Sequence, residues 1–285
     1  MLQSMPELPE VETVVRGLRS AGLGGRLVRH ARINWPKLVA QPSPAAFAQR
    51  LRGQRIQAIQ RRAKFIVMPL SGGETLINHL RMTGQLRLLP HDAPRGRHEH
   101  LGLTLDDGRE LRFHDPRKFG RWWLTRNPEE VLGRLGPEPL SATFSIAEFS
   151  RRLRAHRRQL KPLLLDQTFL AGLGNIYVDE ALWEARLHPQ RRAHTLSATE
   201  QTSLYVAIRR VLRQGIRFGG TSLGDGEGNF RGIHRRSGRN RSRLQVYQRA
   251  GQPCSRCRTK IMRLTVAQRG THLCPQCQKR RGTAC

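Results

Sequence analysis

The strongest constraint on the fold of this chain lies near its C-terminus. Cys254-Ser-Arg-Cys257 and Cys274-Pro-Gln-Cys277 form two C-x2-C pairs separated by sixteen residues. Each pair bends tightly enough to turn two sulfurs toward one ion, and tetrahedral zinc takes four thiolates. Residues 258–273 have room for a single β-hairpin, with its turn expected near Arg269-Gly270. Two disulfides in a secreted domain are the competing reading. The N-terminus does not read as a signal peptide, and the remaining 281 residues contain one further cysteine, Cys285. The expectation is therefore a zinc ribbon in which Cys254, Cys257, Cys274 and Cys277 hold one structural Zn2+, with Cys285 a terminal thiol outside the pattern.

Charge is the second constraint. The chain carries 51 Lys and Arg residues against 21 acids, a formal net charge of +30. Residues 209–285 hold 19 of the basic residues and only Asp225 and Glu227 as acids. Such a field attracts polyanions, and binding should weaken steeply as salt rises. Nucleic acid is the leading partner. A membrane surface fits less well, because the basic residues do not form the polar face of one amphipathic helix. No apolar run approaches the roughly 20 residues that span a bilayer, so no membrane association and a cytoplasmic location are expected.

The pattern along the chain indicates an α+β protein. Glu7, Glu10 and Glu12 crowd the start of a helix whose apolar positions include Leu8, Val11, Val14 and Leu18, a placement of acids that suits a helix N-terminus. From there to about residue 126 the pattern is that of strands. Leu101, Leu103 and Leu105 alternate, Asp107-Gly108 turns the chain, and Leu111 and Phe113 alternate again. An N-terminal antiparallel β-sandwich over 6–135 is expected, then a linker over 136–150 marked by Pro137-Glu-Pro139. Helical spacing follows at Leu160–Leu165 and at Val178, Ala181, Leu182 and Ala185. Between these helices Gly172 and Gly174 force two turns, so 151–218 is expected to be a helix–two-turns–helix DNA-binding domain. Residues 219–244 read as a loop and 245–282 as the ribbon. Gly172-x-Gly174 is a poor dinucleotide fingerprint, since helix rather than strand precedes it.

The segment Pro6-Glu-Leu-Pro-Glu-Val-Glu-Thr13 changes the reading. Together with Arg62-Ala-Lys64, Asp115-Pro-Arg-Lys-Phe-Gly120, Gly172-Leu-Gly-Asn-Ile-Tyr177, Arg269-Gly-Thr-His272 and the four cysteines, it resembles the formamidopyrimidine-DNA glycosylase family, bacterial enzymes that excise oxidised purines. The resemblance covers nearly the whole chain. It implies that Pro6 is the nucleophile, forming a Schiff base with C1′ of the damaged nucleotide, and that Glu7 is the acid that opens the sugar ring. Lys64 would contact the target site and help expel base and strand. Met82, Arg117 and Phe119 would fill the gap left by a flipped base. Phosphate contacts would come from Lys161, Asn175, Tyr177 and Arg269, the last also tied to the second elimination. His98, His156 and Arg157 would be further DNA contacts. A metal site at His98-Glu-His100 is the rival reading for that segment.

The function so implied is a bifunctional glycosylase and abasic-site lyase acting on damaged double-stranded DNA as a monomer, associated with the bacterial nucleoid through DNA binding. The alternatives are an endonuclease VIII-type enzyme for oxidised pyrimidines and an inactive zinc-ribbon DNA-binding protein. Two departures from the family stand out. Met1-Leu-Gln-Ser4 precede the usual start, and the loop after Gly220 is unusually basic, with Arg231, Arg235, Arg236, Arg239, Arg241 and Arg243. The nitrogen of Pro6 is a tertiary amide while Met5 is attached. Activity is therefore expected only of a chain that starts at Pro6, most simply by translation from Met5 and removal of that residue.

Overall fold

The computed structural model describes residues 5–224, 230–233 and 236–280. The Met1–Ser4 extension, Cys285 and part of the basic loop after Gly220 lie outside these described residues. The chain divides into two compact units. One comprises the chain through Arg134 together with Ile216–Arg241; the other comprises Leu135–Gly215 and the chain from Ser242 onward. Much of the 219–244 loop therefore belongs with the N-terminal unit.

The first unit is a two-layer β structure with a helix at its start. Helix α1 (Leu8–Ser20) buries Leu8, Val11, Val14, Val15 and Leu18. Its outward Glu12 takes Arg16 at 2.8 Å and Arg61 at 2.9 Å. One sheet holds β1 (Val28–Ile33), β7 (Glu99–Leu105), β8 (Arg109–His114) and β6 (Gln85–Pro90), in that order and all antiparallel. The other holds β2 (Val39–Gln41), β9 (Arg121–Thr125), β5 (Thr75–His79), β4 (Phe65–Pro69) and β3 (Gln60–Arg62). Leu101 faces Phe113 and Leu103 faces Leu111 across the hairpin, and Gly108 takes the left-handed φ of 79° that its turn requires. The expected alternation thus becomes the buried face. Phe113 meets Trp122 of the other sheet edge-on at 5.7 Å.

Two features differ from the sequence reading of this unit. The pair β2–β9 is parallel, so the sandwich is antiparallel except at that edge. A short helix, α2 (Pro44–Leu51), interrupts the run of strands. Its signal is local: the Ser43 hydroxyl accepts the Ala46 N–H at 3.3 Å and Pro44 occupies the first turn. A four-residue helix, α3 (Glu129–Leu132), ends the unit.

The second unit begins sooner than expected. Helix α4 (Ile146–Arg154) lies partly inside the segment read as linker. Ser145 accepts the Glu148 N–H at 3.2 Å, the S-x-x-E start signal that the proline-rich stretch obscured. Then come α5 (Leu160–Leu165), α6 (Asn175–Glu184) and α7 (Ala198–Arg217). Gln167 fastens the two turns between α5 and α6. Its side-chain oxygen accepts the Gly172 N–H, and its amide donates to Leu165 O and Leu173 O, all at 2.9 Å. Strands β10 (Met262–Val266) and β11 (Arg269–Leu273) form the ribbon hairpin. The turn falls at Ala267-Gln268, both with positive φ, rather than at Arg269-Gly270. Val266 pairs with Arg269, which is the register of a two-residue hairpin. Among the described residues no helix is long and apolar enough to cross a membrane.

Arg112 is fully buried in β8 and holds one edge of the first unit. It donates to Glu110 at 2.6 Å and Glu99 at 3.3 Å, and to the carbonyls of Pro90, His91, Ala93 and Pro94. Replacing it with Met would remove its bonds to two buried carboxylates and four carbonyls; Glu110 would keep Arg32 at 3.4 Å and Pro90 O the Ala93 N–H at 3.1 Å. The expected cost is about 3–5 kcal/mol, read as a lower midpoint in urea. Arg112→Lys, which keeps the charge but not the fork, should fall between Met and wild type.

Candidate functional site

Pro6 and Glu7 sit at the entrance to α1, and both are buried. The Glu7 N–H donates to Glu10 Oε2 at 2.9 Å, and Glu10 Oε1 accepts the Thr221 N–H at 2.7 Å. One carboxylate, 2% exposed, thus bridges the segment carrying Pro6 and Glu7 and the start of the loop after Gly220. The acid-rich helix start was legible in sequence; the bridge was not, because Thr221 lies 211 residues away.

Lys64 follows Ala63, which has a φ of 53°, and leads into β4; its side chain is buried. On the neighbouring strand His79 faces Phe65, with the rings edge-on at 4.6 Å. Burial first, then the positive charges of Arg81 and Lys64, push the His79 pKa down to about 3. This imidazole is neutral at physiological pH, and its Nδ1 accepts the Arg81 N–H at 3.0 Å. His79 was not anticipated: a histidine ending an apolar strand gives no signal until its neighbours are placed.

The residues expected to fill a gap in DNA lie on two loops of the same unit. Met82 is half-buried in the turn after β5. Arg117 and Phe119 project from the loop between β8 and β9; Phe119 is 45% exposed, and the Arg117 guanidinium lies 4.7 Å from its ring. An exposed phenylalanine under a cation is not core material. His98 is half-exposed, and its ring meets His114 at 5.7 Å. The rival metal reading finds no support, since among the described residues the four ribbon cysteines alone group as ligands.

In the second unit two of the expected phosphate contacts have buried side chains. Lys161 is fully buried; its Nζ donates to Asp179 at 2.6 Å and to the Gly270 carbonyl at 2.9 Å. Both bonds lie within the second unit, and the carbonyl belongs to the residue after Arg269. Tyr177 is 1% exposed and packs against Gly215, where an added Cβ would overlap its ring. Its ring is packed inside the second unit, at the start of α6. Asp179 Oδ2 also accepts the His272 N–H at 2.8 Å, and Asn175 Nδ2 donates to Gly270 O at 3.0 Å. These bonds fix the strand whose first residue, Arg269, is exposed. Arg157 is exposed, and His156 is half-buried against Phe169.

The four cysteine sulfurs lie within 4.8 Å of one another. Individual separations are 3.4, 3.5 and 3.9 Å. A tetrahedron with Zn–S bonds of about 2.3 Å has edges of roughly 3.8 Å, so the residues present fit zinc. Around them Arg256 lies 3.6 Å over the Trp183 ring and bonds Glu184 at 2.6 Å. Gln278 bonds Cys274 N and Leu187 O, both at 2.9 Å. The ribbon is thereby fastened to α6. Cys254→Ser, or chelation, should release zinc, loosen the β10–β11 hairpin and lower duplex affinity at least tenfold. The first unit should keep its unfolding transition. Fully active protein without zinc by metal analysis would contradict this.

Residues 5–122 match the formamidopyrimidine-DNA glycosylase N-terminal domain, 135–226 the H2TH domain of that family, and 251–280 the zinc finger found in FPG and IleRS. The chain is 50% identical over 276 residues to the formamidopyrimidine-DNA glycosylase of Herpetosiphon aurantiacus, covering 96% of this chain and 100% of that one. It is 45% identical to the enzyme of that name from Protochlamydia amoebophila, over 97% of this chain and 100% of the other. Among solved structures, a point mutant of Lactococcus lactis FPG in complex with a Fapy-dG containing DNA superposes with a TM-score of 0.89, and Lactococcus lactis Fpg with an abasic site containing DNA with 0.88. Each is 37% identical and covers 96% of this chain and 100% of its own. By these matches across all three of its domains, the chain belongs to the formamidopyrimidine-DNA glycosylase family.

Proposed function

We propose that this protein is a bifunctional DNA glycosylase and abasic-site lyase of base excision repair, acting on oxidised purines such as 8-oxoguanine and formamidopyrimidines. The observation that carries the reading is the pair Pro6-Glu7, fastened by Glu10 at the head of α1, in a chain of this family. The catalytic form is one in which Pro6 begins the chain. A terminal secondary amine titrates near pH ~8, so a useful fraction is unprotonated at neutral pH.

The chemistry follows from those groups. Glu7 gives its proton to the sugar ring oxygen as the ring opens. The Pro6 nitrogen donates its lone pair to C1′ and gives up its N–H proton, the bond from C1′ to the base breaks, and the base leaves with that electron pair and the proton from Pro6. The product is an iminium ion between Pro6 and C1′. It acidifies the C2′ proton; loss of that proton expels the 3′ phosphate, and a second elimination expels the 5′ phosphate. Lys64 lies on the same unit as Pro6 and Glu7 and is assigned to the target site. Arg117 bonds the orphaned partner base, while Met82 and Phe119 wedge the step. Arg269, Asn175, Tyr177, Lys161, His98, His156 and Arg157 are assigned to the DNA backbone, Lys161 by way of the Gly270 carbonyl it holds. Unstacking the target base costs a few kcal/mol, which these contacts offset.

Borohydride reduction tests the nucleophile. Protein beginning at Pro6, as verified by intact mass, should become covalently attached to abasic duplex. A chain that retains Met5 should not, and trapping of that longer chain would remove Pro6 from the role. Glu7→Gln should separate the two activities. Excision of an intact damaged base should fall by at least about 100-fold, the range of a general acid. Cleavage at a preformed abasic site, which already samples its open aldehyde, should persist. Equal loss of both would assign Glu7 another task.

A further inference from the structure

Two loops carry the residues assigned to the gap in DNA, and they come from different strand connections. Met82 lies between β5 and β6; Arg117 and Phe119 lie between β8 and β9. Both loops end on one fully buried carboxylate, Asp115. Its Oδ1 accepts the Thr83 hydroxyl and the Arg117 N–H, the latter at 3.3 Å. Its Oδ2 accepts the Gly120 N–H at 2.7 Å. The backbone of the same residue is tied as well. Asp115 N–H donates to His98 O at 2.9 Å, and its carbonyl lies 3.0 Å from His100 Nε2 and accepts the Lys118 N–H at 3.2 Å.

A second, steric observation points the same way. The residues beside Thr83 and Phe119 are Gly84 and Gly120. A Cβ built on either one would overlap Phe113 Cζ. Both loops therefore close onto the same ring edge, and each needs glycine to approach it. Phe113 limits how near the loops come, and Asp115 joins them.

We propose that Asp115 is a positioning residue that locks the Met82 turn and the Arg117–Phe119 loop into one rigid unit, so that the three side chains enter the duplex together. The proposal rests on the assignment of Met82, Arg117 and Phe119 to the gap left by the flipped base. Asp115 is fully buried, so it acts through the loops it joins. It is an acceptor-only group with room for several donors on its two oxygens. A carboxamide of the same shape cannot replace it, because one oxygen would become an NH2 that faces donors. Bonds to a buried carboxylate are charge-assisted and stronger than neutral ones. Without the Thr83 bond, Met82 and the Arg117–Phe119 pair would enter the duplex in separate steps.

Thr83→Val tests this while leaving the carboxylate and its other donors in place. Thr83→Ser restores the hydroxyl, and Asp115→Asn is the companion variant. Urea midpoints establish that each variant is folded. The readout is the fluorescence of 2-aminopurine opposite the lesion in a duplex, which rises when that base is unstacked. It is set beside borohydride trapping on single-stranded abasic DNA, where no gap need be filled. Thr83→Val should lower the opening amplitude and reduce kcat on duplex lesions by about tenfold, the scale of one charge-assisted bond. Trapping on the single strand should change far less, and Thr83→Ser should recover the duplex signal. A Thr83→Val protein that opens duplex as wild type does, or one that loses single-strand trapping in equal measure, overturns the proposal. Wild-type protein with a free Pro6 that neither traps nor opens duplex would instead refute the underlying functional reading, and the proposal would fall with it.

Discussion

A buried carboxylate surrounded by N–H donors is the interaction on which this structure depends. Acids are scarce here, 21 against 51 basic residues, and several of the few are spent inside. Glu10 joins Glu7 to Thr221. Asp115 joins the Thr83 turn to the Arg117–Gly120 loop. Asp179 joins Lys161 to His272, and Glu180 accepts the N–H groups of Gln245, Val246 and Tyr247. Each carboxylate ties together segments far apart in sequence. Taking such a group from water is costly unless its oxygens are fully bonded. The segments it ties are consequently held to one geometry.

This arrangement divides labour by charge. These acids turn inward and fix backbone, while arginines such as Arg117 and Arg269 stay at the surface. Arg117 and Arg269 are exposed, and each stands on a strand or loop held from beneath by a buried ion pair or carboxylate. Lys161 illustrates the same logic from the other side. It sits fully buried on Asp179 and bonds the carbonyl of Gly270, next to Arg269.

The zinc ribbon shows why a small module needs more than its metal. Its hairpin has five residues in each strand, and Met262 and Arg263 are exposed. Few apolar groups are available to bury, so four thiolates on one ion supply the local fold. Arg256, stacked on Trp183, and Gln278, bonded to Leu187, then attach that fold to α6 and the turn after it. Metal and helix contacts together define where Arg269 points.

How much of this was legible in the sequence depended on the range of the interaction responsible. The four cysteines, the Leu101–Leu105 and Leu111–Phe113 alternation, the acid-rich start of α1 and the paired glycines before α6 are local signals. Each was read correctly, because zinc spacing, strand period and turn conformation are set within a few residues. Even local signals failed where composition masked them, as with the Ser43 cap of α2 and the Ser145 cap of α4 behind proline-rich stretches. The exposed Arg117 and Phe119 were named from a motif, but the motif could not say what holds them. Burial of Lys161 and Tyr177, the neutral state of His79 and the hubs at Glu10 and Asp115 were decided by tertiary structure alone. They arise from contacts between residues tens to hundreds of positions apart. Whether a charged side chain meets water or a partner is settled only when those distant segments pack.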